Sequence, residues 1–173
     1  MSALILDSPA VPPRGVEQIR ATYGDVKILK VGAEWKIVAP FGWESKNCEL
    51  VRDFPGIDRP LYVNKRLVVP LHAALTSWQA RCPSYAIDTI GCFCVRPKGV
   101  AHGASGLVGL DEGLSVHAFA AAVDINAKSN PMRKPMVCDM PAEFIACFTD
   151  AGFTHGASFP TPDPMHFQLC SGY

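Results

Sequence analysis

The chain has no excess of charge of either sign. Lys and Arg together number 16, as do Asp and Glu. That balance leaves no electrostatic footprint for nucleic acid or an anionic membrane. No apolar run approaches the roughly 20 residues needed to span a bilayer, so membrane insertion is not expected. The opening "MSALILDSPAVPPRG" lacks a basic segment ahead of its short apolar run and does not read as a secretory signal. Synthesis in a cytoplasm is the expectation, with exit only if something releases or carries the protein. No Cys-x-x-Cys pair is present among the seven cysteines, Cys48, Cys82, Cys92, Cys94, Cys138, Cys147 and Cys170. Zinc-finger spacing is therefore absent, and most of the thiols read as reduced, small buried hydrophobes. The run "CFC" at 92–94 has period-two spacing, which predicts both thiols on one face of a strand.

Repeats, low-complexity tracts and linkers are also missing. What remains is globular: 173 residues, 49% hydrophobic and 18% charged. A chain of this length suits a single domain that buries roughly 70% of its unfolded surface. The fifteen prolines imply many turns and short elements. "PPRGVEQIRATYGD" predicts a short helix with Val16, Ile19 and Tyr23 on its apolar face and Gly24 as its stop. "VKILKVGAEWKIVAPF" predicts a hairpin broken at Gly32 and Pro40. "YVNKRLVVPLHAALTSWQARC" places Leu67, Leu71, Ala74, Leu75 and Trp78 at helical spacing. It should be the main core helix, with Pro70 in its first turn or at a kink.

"AIDTIGCFCVR" then reads as a strand, "GVAHGASGLVGLDEGLS" as a long Gly-rich loop and "AAAVDIN" as a buried strand. "DMPAEFIACFTDAGF" predicts a helix with Asp139 as N-cap, Pro141 in the first turn and Gly152 past the end. "HFQLC" closes the chain as a strand. Helices and strands in this order indicate an α+β domain.

Chemistry concentrates in two places. "SVHAFAAAVDIN" sets His117 and Asp124 seven residues apart in an apolar segment, and "PDPMHFQL", near the end of the chain, has Asp163 three residues before His166. Catalytic zinc takes three protein nitrogen or oxygen ligands and keeps a fourth position open. His117, Asp124 and His166 could supply the three if the sheet brings their strands together. Hydrolysis also needs a base, and Asp163, on a turn that Pro164 keeps from being helical, is placed for it. A cation that polarises a carbonyl or holds a substrate carboxylate would complete the set, with Arg96 the candidate. The bland alternatives are a structural role for each histidine, a turn-forming role for Asp124 and Asp163, and a surface charge for Arg96.

The first motif resembles the Ser-x-His-x-x-Gly-x-Ala-x-Asp pattern of the zinc D-alanyl-D-alanine carboxypeptidases. "PDPMHF" resembles the second motif of that family, in which Glu or Asp stands three residues before the last zinc histidine. Phage L-alanyl-D-glutamate endopeptidases share the architecture and commonly carry Asp there. The similarity covers roughly residues 60–170 and includes "YVNKRLVVPLHAAL" and the Arg96 segment in the same order. The resemblance implies a hedgehog/D-Ala-D-Ala peptidase-like α+β fold, with a small antiparallel sheet and flanking helices. It implies one zinc peptidase domain over 1–173, with 1–55 as an N-terminal elaboration and 60–170 as the catalytic core.

It further implies Zn2+ on His117, Asp124 and His166, Asp163 as base, and Arg96 at the substrate or transition state. Ser115 would order the loop or reach the substrate. Three departures stand out. Ala120 occupies the motif's Gly position, which costs if the backbone there needs positive φ. Gln168 stands where related phage proteins often carry Glu. "FTHGAS" replaces the usual "GFxWGG" surroundings and puts His155 beside the substrate pocket.

The implied substrate is a peptidoglycan stem peptide, cut between L-Ala and D-Glu or at the terminal D-Ala. Release through a holin, or carriage by virion proteins, would bring such an enzyme to the cell wall. A second reading is a zinc-retaining binding or structural module, as in the hedgehog signalling domain. A third is a cysteine hydrolase pairing Cys92 or Cys94 with His102 or His117. His102 reads as a loop residue, His72 as a helix-surface residue, and Trp35, Trp43 and Trp78 as packing residues.

Overall fold

In a computed structural model, residues 11–99 and 106–173 are described, and His102 lies outside them. Helix α1 (Gly15–Tyr23) buries Ile19 and Tyr23 and stops at Gly24, whose φ of 97° suits glycine. Strands β1 (Lys27–Val31) and β2 (Glu34–Ala39) form the expected antiparallel hairpin. A short helix α2 (Trp43–Asn47) leads into β3 (Cys48–Val51), which pairs antiparallel with β4 (Leu61–Asn64). Helix α3 (Lys65–Arg81) buries Leu67, Leu71, Ala74, Leu75 and Trp78, the face predicted from spacing. Pro70 lies in its interior, beyond the first turn, and denies the Arg66 carbonyl its helical donor.

The second half builds a four-stranded antiparallel sheet in the order β5-β6-β8-β7. Its strands are β5 (Ile90–Gly91), β6 (Ala122–Ile125), β7 (Thr154–His155) and β8 (His166–Gln168). Helix α4 (Ala142–Thr149) packs Phe144 and Phe148 against Phe167 at ring distances of 6.4 and 4.6 Å. The architecture is α+β with small antiparallel sheets, as the sequence indicates.

Two local expectations are corrected. The predicted "CFCVR" strand ends at Gly91. Beyond it the chain runs beside 113–117 through irregular bonds, Cys94 N–H to the His117 carbonyl and Ser115 N–H to the Arg96 carbonyl. Freed from a regular ladder, the two thiols do not share a face: Cys92 is buried and Cys94 exposed. Asp139 does not cap α4, whose N-cap position is Pro141. The Asp139 carboxylate instead accepts bonds from the Tyr85 hydroxyl and the Asn130 amide, partners that a side chain held two residues farther back can reach.

The N-terminal segment is stitched to the sheet. The Tyr23 hydroxyl donates to the Leu169 carbonyl at 2.7 Å. Ile28 and Val108 exchange both backbone bonds at 2.8 and 2.9 Å. Ile19, Tyr23 and Ile28 belong to the same buried cluster as Phe119, Phe144 and Phe167. Among the described residues, no helix is long and apolar enough to cross a membrane.

Candidate metal centre

Strand register builds the first half of the site. Asp124 on β6 stands directly opposite His166 on β8. Residues opposed in an antiparallel pair project to the same face, so the two side chains meet by construction. His117 arrives from a short 3₁₀ turn, Val116–Phe119, immediately before β6. Ser115 starts that turn, its hydroxyl accepting the His117 N–H at 3.3 Å. Ala120 ends it in the left-handed conformation, φ 51° and ψ 34°. The Gly position of the resembled motif therefore does require positive φ here, and the methyl group costs on the order of 1 kcal/mol. The surroundings hold it in place. The Ala120 carbonyl accepts the Asn64 N–H at 2.9 Å and the Cys92 thiol at 3.4 Å. The Asn64 amide also donates to the Phe119 carbonyl at 3.0 Å, while its oxygen caps α3.

Three atoms converge. His117 Nε2 lies 3.1 Å from Asp124 Oδ1, and His166 Nδ1 lies 3.0 Å from the same oxygen. The two ring nitrogens are 3.1 Å apart. Tetrahedral zinc with bonds of about 2.0–2.1 Å separates its ligands by roughly 3.3 Å, so the triangle has nearly the right size. Proton placement points the same way. His117 Nδ1 sits 2.6 Å from the Cys92 carbonyl, which can only accept, so His117 carries its proton there. His166 Nε2 faces the Gln168 amide oxygen at 3.0 Å, which places its proton on that side. In the neutral rings both inward nitrogens then present lone pairs, beside a carboxylate oxygen. Three acceptors at van der Waals distance or closer need a cation between them. A metal ion fits, and His117, Asp124 and His166 are the residues that could hold it.

Asp124 carries the electrostatic signature of such a site. Burial alone would raise its pKa, but wherever the two imidazoles carry a proton toward it they outweigh burial and hold the carboxyl well below the usual carboxylate range. A metal would do the same while displacing any proton shared with the rings.

Asp163 lies on the turn that leads into β8. Its carbonyl accepts the His166 N–H at 3.0 Å, and its own N–H donates to the Gly156 carbonyl at 2.9 Å. Gly156 is required by close approach: a Cβ there would meet the Asp163 carbonyl oxygen at 2.4 Å and the His166 Cβ at 3.1 Å. The carboxyl oxygen Oδ1 of Asp163 is buried without a hydrogen-bond partner. Burial raises the Asp163 pKa, and the charges acting on it are those of His166, Asp124, His117 and Arg96. A buried, unpartnered carboxyl oxygen in the field of the triad suits a group that exchanges a proton there.

The remaining predicted residues are placed as follows. Arg96 is half-buried on the irregular segment after β5 and is near enough to bias Asp163. Ser115 is buried and spends its hydroxyl on the His117 turn. His155 donates from Nε2 to the Pro164 carbonyl at 2.8 Å and stacks on Phe167 at 4.6 Å. Its ring thus props the turn that carries Asp163, and burial lowers its pKa. Cys92 is buried and its thiol pKa is pushed up by burial, the opposite of an activated nucleophile. Gln168 was legible only as a departure from the motif. Its two-residue spacing from His166 on a strand was the signal that both share a face.

Residues 109–169 match the family model described as D-alanyl-D-alanine carboxypeptidase. The match spans about a third of the chain and includes His117, Asp124, Asp163 and His166, while Arg96 and the N-terminal segment fall outside it. No curated protein and no solved structure gives a significant match. The similarity to D-alanyl-D-alanine carboxypeptidases thus falls on the segment that folds into the ligand triangle and the Asp163 turn.

Proposed function

We propose that this chain is a zinc peptidase that hydrolyses peptidoglycan stem peptides, and within that class an L-alanyl-D-glutamate endopeptidase of the phage type. The observation that carries the reading is the convergence of three lone-pair donors whose charges act on Asp163, a residue with a buried, unpartnered carboxyl oxygen. The family match over the same residues supports the peptidase class. Asp rather than Glu at position 163 supports the endopeptidase over the carboxypeptidase.

His117, Asp124 and His166 would hold the ion. When bound, zinc supplies Lewis acidity, which polarises a carbonyl and makes water acidic near neutral pH. The protein's own part is proton handling and positioning. The Asp163 carboxylate takes a proton from the attacking water as the C–O bond forms and returns it to the departing amine as the C–N bond breaks. Arg96 offsets the negative charge that develops on the scissile oxygen, or holds a substrate carboxylate. Ser115 and Asn64 keep His117 on its turn, and His155 keeps Asp163 on its own. Access to the cell wall would depend on a holin or on virion proteins.

The test is mass spectrometry of purified peptidoglycan digested with the zinc-loaded protein and with a chelated control. Chelator-sensitive fragments with a free D-Glu amino terminus are expected. Loss of terminal D-Ala alone would assign the carboxypeptidase instead. Intact peptidoglycan from several wall types would overturn the enzymatic reading in favour of a binding module.

A further inference from the structure

The two ring histidines are oriented by different means. His117 is fixed by a backbone carbonyl, that of Cys92. His166 is fixed by a side chain, Gln168, which is 4% exposed and lies on the same face of β8 two residues on. Orientation of that amide is itself determined. Its nitrogen donates to the Cys170 carbonyl at 3.2 Å, which leaves Oε1 toward His166 Nε2 at 3.0 Å. An oxygen that can only accept demands a proton on Nε2, and a neutral imidazole has one N–H to give. Nδ1 is thereby left with its lone pair facing Asp124 and His117.

From this geometry we infer that Gln168 is a positioning residue that selects the metal-binding tautomer of His166. The inference rests on the metal-peptidase reading above. A neutral amide performs this role without adding a third carboxylate to a site that already holds the partly buried Asp124 and the buried Asp163 oxygen. With no acceptor at 168, the proton of His166 is free to occupy Nδ1, where it blocks the ligand position.

Two measurements test it. Zinc affinity is read by chelator competition for wild type, Gln168→Leu and Gln168→Glu. Removing a partner of this kind weakens metal binding by about 10–100-fold. Gln168→Leu is expected to fall in that range, and Gln168→Glu, which restores an acceptor, to recover most of it. The ring tautomer is read by long-range 1H–15N spectroscopy on zinc-free wild type above the imidazole titration range. There His166 is expected to carry its proton on Nε2. Wild-type affinity in Gln168→Leu, or an Nδ1–H tautomer in wild type, would overturn the inference. A wild type that binds no zinc would instead bring down the metal reading itself. Should Gln168→Leu fail to fold, the wild-type spectrum alone decides.

Discussion

Asp163 is the proposed base, and its surroundings predict how it behaves when altered. Asp163→Asn keeps the shape and the turn but removes the base. Turnover of stem peptide should fall by about 10²–10⁴-fold, the usual contribution of a general base, with zinc content unchanged. The same variant reports on pH. Burial raises the folded-state pKa of Asp163 above its unfolded value. Its contribution to stability is therefore full below the ordinary carboxylate range and is lost as pH rises through the raised pKa. In chelator near neutral pH, Asp163→Asn should melt no lower than wild type, and any gain should close as pH falls toward about 4. Thermal unfolding across that window checks it, and a variant that melts lower near neutral pH would mean the carboxylate is paired. The convergence of His117, Asp124 and His166 was legible in sequence because their residue types and spacing are themselves chemical. The Cys92 carbonyl that orients His117 was not, since a backbone group leaves no mark on residue identity.

Short elements carry the site, and each is held by one or two specific contacts. The turn bearing Asp163 closes onto Gly156 with no space for a side chain. Gly156→Ala should force that turn away from β7, destabilising by about 1–3 kcal/mol as overpacking does. It should also lower activity beyond what stability explains, because Asp163 and His166 move together. Denaturant unfolding and turnover on the same preparation separate the two effects, and an active variant of wild-type stability would refute the close-approach argument. The long helix α3 was legible from its spacing, as was the β1–β2 hairpin. The strand through "CFCVR" was not. Its partner is a loop, and β propensity cannot report whether a ladder is there to join. Asp139 misled for a related reason, since an acidic residue near a helix start serves equally to bind a neighbouring tyrosine and asparagine.

At the scale of the whole molecule, the N-terminal segment and the site-bearing sheet share one core. Ile19, Tyr23, Ile28 and Trp43 are buried in the same cluster as Phe119 and Phe167. A fragment beginning at residue 60 would expose that face of the core and leave the Leu169 and Val108 backbone groups without partners. It is expected to be unfolded and metal-free by circular dichroism and metal analysis, and a folded, zinc-binding fragment would show that the segment is an independent addition. The α+β class was readable from the order of elements, whereas this interlocking was not, because it depends on long-range pairings such as Tyr23 with Leu169. The most direct test of the central claim is equilibrium dialysis of the chelated full chain against zinc, alongside His117→Ala and Asp124→Asn. The geometry predicts one zinc per wild-type chain and loss of that zinc in both variants. A wild type that retains no zinc, or variants that retain it equally, would contradict the assignment of the triangle as a metal centre.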